Sequence, residues 1–166
     1  ADRALPAQSF LLTFDDGFRE ISDIVAPVLR EKGVPATFFL TTACLDNKHL
    51  AHHNKISLLI ERMASGKTDS ASKEIRNMLA RIGIQSPELR SALLRLDREH
   101  EQTVANIASI LDVDFESYLA TAKPYLTSEQ VRQLIALGFA IGGHSVDHPM
   151  YDAISLPAQL DQTRTS

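Results

Sequence analysis

Leu11-Leu12-Thr13-Phe14-Asp15-Asp16-Gly17 constrains the fold more than any other stretch, because an apolar run stops there abruptly in two adjacent carboxylates. Phe10, Leu11, Leu12 and Phe14 have the aromatic and aliphatic content of a strand buried on both faces, as in a parallel sheet covered by helices. Gly17 allows the tight turn that must follow. Two ionised carboxylates at the end of a buried strand repel, so a cation must lie near them or one must take up a proton. A divalent metal meets that requirement.

Further ligands stand in Gly142-Gly143-His144-Ser145-Val146-Asp147-His148-Pro149. His144 and His148 are four apart, so one helical or helix-like turn puts both imidazoles on the same side, and Pro149 disfavours continuing it. Phe139-Ala140-Ile141 is a short apolar run emptying into two glycines. Both chemical stretches therefore fall at the C-terminal ends of strands, where parallel α/β sheets and barrels place their active sites.

Thr13-Phe14-Asp15-Asp16-Gly17 followed by His144-Ser145-Val146-Asp147-His148-Pro149 resembles the first two signature motifs of the polysaccharide deacetylases, the NodB-homology domain of carbohydrate esterase family 4. The order of the two motifs, each behind a strand, makes the pair specific. The likeness covers both ends of the chain, closely from Pro124 to Tyr151, but not its middle. It implies that Asp16, His144 and His148 bind the metal, that Asp15 is the general base, and that Ser145 steadies the histidine loop by hydrogen bonding. It also implies an N-acetylated carbohydrate as substrate and envelope or secreted polymers as the setting.

The residue types suit that chemistry. Two neutral imidazoles and one carboxylate leave positions open on a metal such as Zn²⁺, as in a hydrolytic site. An open position holds water, whose pKa the metal lowers while it polarises an amide or ester carbonyl, and a free carboxylate nearby can take the proton. Adjacent residues on a strand point to opposite faces, so the turn at Gly17 must bring Asp15 back toward the pocket.

With 166 residues, 44% of them hydrophobic, the chain reads as one soluble domain with a real core. Its 17 basic residues are dispersed and outnumbered by 21 acidic ones, which argues against nucleic acid. No apolar run approaches the roughly 20 residues of a membrane span. Ala1 in place of Met, without a basic and apolar leader, suggests a processed or trimmed form. Cys44 is the single cysteine, which excludes an internal disulfide and reads as a small buried hydrophobe.

After Gly17, the residues Ile21, Ile24, Val25, Val28 and Leu29 mark one face of a helix capped by Ser22 and stopped by Gly33. Pro27 implies that its regular part begins late or kinks. Pro35 opens a strand, Ala36–Leu40. Residues 44–125 read as a helical insertion. Its stripes are Ile56, Leu59, Ile60 and Met63 closed by Gly66, then Ile75, Met78, Leu79 and Ile82 closed by Gly83. Ser86 and Pro87 open a third carrying Leu89, Leu93 and Leu96, and Val104, Ile107 and Leu111 continue it after a break near Asp97, with another turn or two over Asp112–Leu119. His49, His52 and His53 read as a solvated cluster or substrate rim, and His100 as hydrogen-bonded packing on the apolar seam. Thr127-Ser128-Glu129-Gln130 is a capping box for a helix burying Val131, Leu134, Ile135 and Leu137 and ended by Gly138. A short helix from Leu156 to Thr163 closes the chain.

The expected fold is therefore α/β: three parallel strands with helices, forming part of a deacetylase-type (β/α) barrel, plus a mostly helical insertion, with residues 1–166 as one domain. Three strands leave an open edge, and no residue matches the family's later motifs. A C-terminal segment outside this sequence, a partner chain or second copy completing the sheet, and a natural fragment are the three explanations. The expected reaction is metal-dependent amide hydrolysis that removes acetyl groups from N-acetylated sugars of a polysaccharide or glycolipid. The alternatives are a non-catalytic metal- or glycan-binding module and an O-acetyl esterase on the same scaffold.

Overall fold

The computed structural model describes residues 7–66 and 69–166. Three parallel strands stand in the order β1 (Thr13–Phe14), β2 (Thr37–Leu40) and β3 (Ala140–Gly143). Thr13 pairs with Thr37 and Thr37 with Ala140, so the strands run in register toward the same end. Phe38 is the fully buried pivot, its ring 5.6 Å from that of Phe14 and 5.1 Å from that of Phe139. Ile21, Ala26, Leu29, Leu40, Leu126 and Leu134 close the core around it. A Cβ on Gly142 would come within 2.6 Å of the Phe39 ring, so glycine is what lets β3 lie close against β2.

The start of the sheet departs from the expectation of a strand buried on both faces. Regular pairing covers only Thr13–Phe14, and Phe10 and Leu11 are 81% and 74% exposed. From Leu11 to Asp16 burial alternates, with Leu12, Phe14 and Asp16 on the half-buried side. β1 lies at the edge of the sheet with one face packed, so the two-residue period governs burial there whatever the apolar content.

Beyond Gly17 the chain winds through a wide π-type turn, Ile21–Val25, into α1 (Ala26–Lys32). Regular helix thus begins late, with Pro27 in its first turn, and Gly33 ends it in the left-handed conformation at φ +64°. Ser22 lies inside the π turn and caps nothing. The extra residue of that turn shifts the phase of the apolar stripe, so Ile21, Ala26 and Leu29 are buried while Ile24 and Val28 are exposed.

Two compact units make up the chain: one comprises the residues up to Lys48 with Pro124–Ser166, the other His49–Lys123. Cys44, which is buried, and Tyr125 belong to the sheet-bearing unit. The second unit holds α2 (His52–Ala64), α3 (Asp69–Arg81), α4 (Leu89–Leu93), α5 (Glu101–Ile110) and α6 (Phe115–Ala122). The stripes read from the sequence meet in one core that includes Leu59, Ile75, Leu79, Leu93, Val104 and Ile107. α4 is shorter than expected: Ser86 and Pro87 precede it, and Glu88 stands at its start without a side-chain cap. Asp97 does break the chain. Its carboxylate accepts the Glu99 N–H at 2.9 Å and lies 2.7 Å from His100 Nδ1, so His100 serves this cap instead of the apolar seam. His52 Nε2 lies 2.9 Å from the Leu96 carbonyl oxygen.

Side chains of the sheet-bearing unit staple the points where the chain leaves it and returns. Asn47 accepts the Tyr125 N–H at 2.9 Å and donates to the Tyr125 carbonyl at 3.2 Å. Asp46 accepts both the N–H and the hydroxyl of Ser128, each at 2.7 Å. Ser128 begins α7 (Ser128–Ala136), where Thr127 and Gln130 form the capping box. Leu134 is fully buried, but Ile135 and Leu137 are exposed, so the buried face is narrower than the apolar content suggested. Gly138 then turns the chain into β3 at φ +91°. The chain ends in α8 (Leu156–Thr165), capped by Ser155, whose Oγ accepts the Ala158 N–H. Among the described residues no helix is long and apolar enough to cross a membrane.

Replacing His49–Lys123 by a short Gly-Ser linker should leave a cooperatively folding sheet unit, because Asn47 and Tyr125 already hold the ends together; a thermal melt followed by circular dichroism checks this. The Ser128 N–H above all, then the Ser128 hydroxyl and Lys48, hold the Asp46 carboxyl below its ordinary value of 3.8. A lowered folded value gives stability that is present above pH 3.8 and lost as pH falls through the folded value. Asp46→Ala should therefore lower the melting temperature at pH 5–7, and the gap from the wild type should close below pH 3.8.

Candidate metal centre

Asp16 sits in the middle of the turn that ends the first strand. The Gly17 N–H donates to the Asp15 carbonyl at 2.9 Å, and Asp16 takes φ +70°, a region that Asp tolerates better than most side chains. Just past β2, as the chain turns into a 3₁₀ helix (Thr42–Asn47), the backbone of Thr41, Thr42 and Ala43 serves as a template. On one side the Thr41 N–H donates to the Asp16 carbonyl at 3.5 Å. On the other the His144 N–H donates to the Leu40 carbonyl at 2.8 Å, the Thr42 N–H to Ser145 at 3.2 Å and the Ala43 N–H to Val146 at 2.7 Å. One stretch of backbone thus aligns the carboxylate turn and the histidine loop.

The two histidines do not share a helical turn. Ser145 and His148 both take positive φ, +65° and +59°, and the loop closes on itself where Ser145 Oγ accepts the His148 N–H at 3.0 Å. That closure puts the imidazoles on one side with ring centroids 5.0 Å apart. The left-handed Ser145, the bonds from the Thr42 and Ala43 N–H groups to the Ser145 and Val146 carbonyls, and the following Pro149 exclude the helix that the spacing suggested.

His144 Nε2 and His148 Nε2 lie 3.7 and 3.5 Å from Asp16 Oδ1, and the three groups, all half-buried, offer ligand atoms within 4.8 Å of one another. Two ligand atoms held about 2.1 Å from a tetrahedral metal are about 3.4 Å apart, so the cluster has the right scale for one ion. Asp16 Oδ1 is shielded from water and faced by two imidazole nitrogens, an arrangement that calls for a cation among them. Two nitrogens and one oxygen suit Zn²⁺ and leave positions open. His49, His52 and His53 join no such cluster among the described residues.

Asp15 is exposed, on the opposite side of the alternation from Asp16, and lies outside the three-residue cluster. A cleft of about 510 Å³ opens beside His144, Ser145 and His148, with Tyr151 and Thr163 also in its wall. Tyr151 Oη and Thr163 Oγ1 are hydrogen-bonded at 3.0 Å.

A family model for polysaccharide deacetylase matches residues 2–166. The chain belongs to the polysaccharide deacetylase family. No curated protein and no solved structure matches it. The family is one of hydrolases that act on acetylated carbohydrate and are generally metal-dependent, and this deacetylase-family chain has its metal-type cluster at the strand ends.

Sequence reasoning passed over Gln162, which reaches from α8 to the histidine loop. Its signal was available in the spacing, since Gln159 and Gln162 are three apart on a helix soon after Pro149 and so share a face. Ser145→Ala should remove the acceptor of the His148 N–H and lower stability by about 1 kcal/mol. Thermal unfolding measures that loss, and hydrogen exchange at the His148 amide should accelerate.

Proposed function

We propose that this chain is a metal-dependent hydrolase that removes acetyl groups from N-acetylated sugars of a polysaccharide or glycolipid. The observation that carries this reading is the meeting of Asp16, His144 and His148 at the ends of the two strands that flank β2 in a chain matched along its length by the deacetylase family. The reaction adds water across the amide, breaks its C–N bond, and yields acetate and a free sugar amine.

Asp16, His144 and His148 would hold the ion, and Ser145 keeps the loop between the histidines folded. A bound Zn²⁺ would lower the pKa of water and polarise the acetyl carbonyl. Asp15, next in the chain to a ligand and accessible to solvent, accepts the proton as water attacks. The cleft beside the histidines is open and partly polar-walled, which suits a hydroxyl-rich substrate such as a glycan.

Calorimetric titration with Zn²⁺, with acetate release from a chitin oligomer followed in parallel, tests the reading. Wild type should bind one equivalent, His148→Ala none. Asp15→Asn should bind the ion normally and lose acetate release by about 10²-fold or more. Binding with no acetate release from any N-acetylated oligomer would replace this reading with a metal- or glycan-binding module.

A further inference from the structure

We propose that Gln162 is a positioning residue for the metal centre, holding the histidine loop through three hydrogen bonds from a helix that carries no ligand itself. The inference rests on the reading of Asp16, His144 and His148 as a metal site and adds what keeps that site in shape before the ion arrives.

Gln162 Oε1 accepts the backbone N–H of Val146 at 2.9 Å and that of Asp147 at 3.3 Å, while Gln162 Nε2 donates to Asp147 Oδ1 at 2.7 Å. One amide side chain thereby engages two of the three residues between His144 and His148. The other device is internal, the Ser145 hydroxyl accepting the His148 N–H. Thr42 and Ala43, just past β2, hold the same loop through the Ser145 and Val146 carbonyls. At Val146 the carbonyl is fixed by the Ala43 N–H and the N–H by Gln162, so the peptides on both sides of that residue are pinned. Gln159, one turn earlier on α8, donates to the carbonyls of Tyr151 at 2.7 Å and Ile154 at 3.1 Å, which anchors the helix to the chain that follows the loop. Leu156 and Leu160 of the same helix are exposed. α8 thus meets the loop with amides, the groups that can read a backbone, and not with its leucines.

This loop needs such a clamp. Ser145 and His148 sit at positive φ, a backbone conformation that is unfavourable for non-glycine residues and persists only where surrounding contacts over-determine it. Residues that orient metal ligands typically change metal affinity by about 10- to 100-fold when removed.

The test is Zn²⁺ affinity by competition calorimetry on the full chain, together with amide hydrogen exchange of the metal-free protein. Gln162→Ala should weaken Zn²⁺ binding about 10- to 100-fold and speed exchange at Val146 and Asp147, with the far-ultraviolet dichroism unchanged. Gln162→Glu should keep the two backbone acceptor bonds but set its carboxylate against that of Asp147. The double variant Gln162→Glu/Asp147→Asn exchanges donor and acceptor across the same contact, so it should restore affinity to within about threefold of wild type and return the slow exchange. A general loss of helix stability would not be rescued by that swap. Wild-type affinity in Gln162→Ala, or no recovery in the double variant relative to Gln162→Glu, overturns the role of Gln162 while Zn²⁺ binding lost in His148→Ala leaves the metal centre standing. Absence of Zn²⁺ binding in the wild type overturns the metal centre and the positioning role with it.

Discussion

The structure depends on the parallel pairing of β2 with a strand on each side, and on the backbone bonds that Thr41, Thr42 and Ala43 make just past it. Hydrogen bonds of a parallel ladder are evenly spaced, so fixing Thr37 against Thr13 and Ala140 fixes the later levels of the ladder as far as Leu40 and Gly143. Buried Phe38, between Phe14 and Phe139, locks that register: a slip by one residue would turn its ring to the other face. Asp16 and His144, far apart in the chain, are brought together by the strands on either side of β2.

Chemistry then sits where regular structure gives out. Asp16, Ser145 and His148 all adopt left-handed backbone, and each is held by a bond of its own: the Thr41 N–H to the Asp16 carbonyl, the Thr42 N–H to the Ser145 carbonyl, and the His148 N–H to the Ser145 hydroxyl. The strain lets the chain reverse sharply at the strand ends, so that a carboxylate oxygen faces two imidazole nitrogens. The stapled neck from Asp46 and Asn47 to Tyr125 and Ser128 applies the same device to the helical unit. A side chain that bonds backbone closes a long excursion locally, and the 49–123 segment builds its own core.

Much of this was legible in the residues. Strand ends at Asp16 and His144, helices in 44–125, the late start forced by Pro27, the Gly33 and Gly138 stops and the Thr127 capping box all follow from short-range rules, and the structure holds them. The misreadings share one cause. Apolar content marks what can be buried, but Phe10, Leu11, Ile24, Val28, Ile135 and Leu137 remain exposed because burial needs a neighbour on the far side. Ser22 and Ser86 have capping chemistry without the capping position, because a π turn and a later helix start moved the boundaries.

By itself the sequence singled out Asp16, His144 and His148 and set them at strand ends, since a carboxylate pair after a strand and two histidines before a proline are local patterns. Only the tertiary structure decided how the histidines are presented. Spacing by four pointed to a helical or helix-like turn, but the bonds from Thr42 and Ala43 and the Gln162 contact, all non-local, accompany a loop with left-handed Ser145 and His148. Hydrogen bonds between segments distant in the chain leave no period in the sequence, and that is why this part could be read only from the fold.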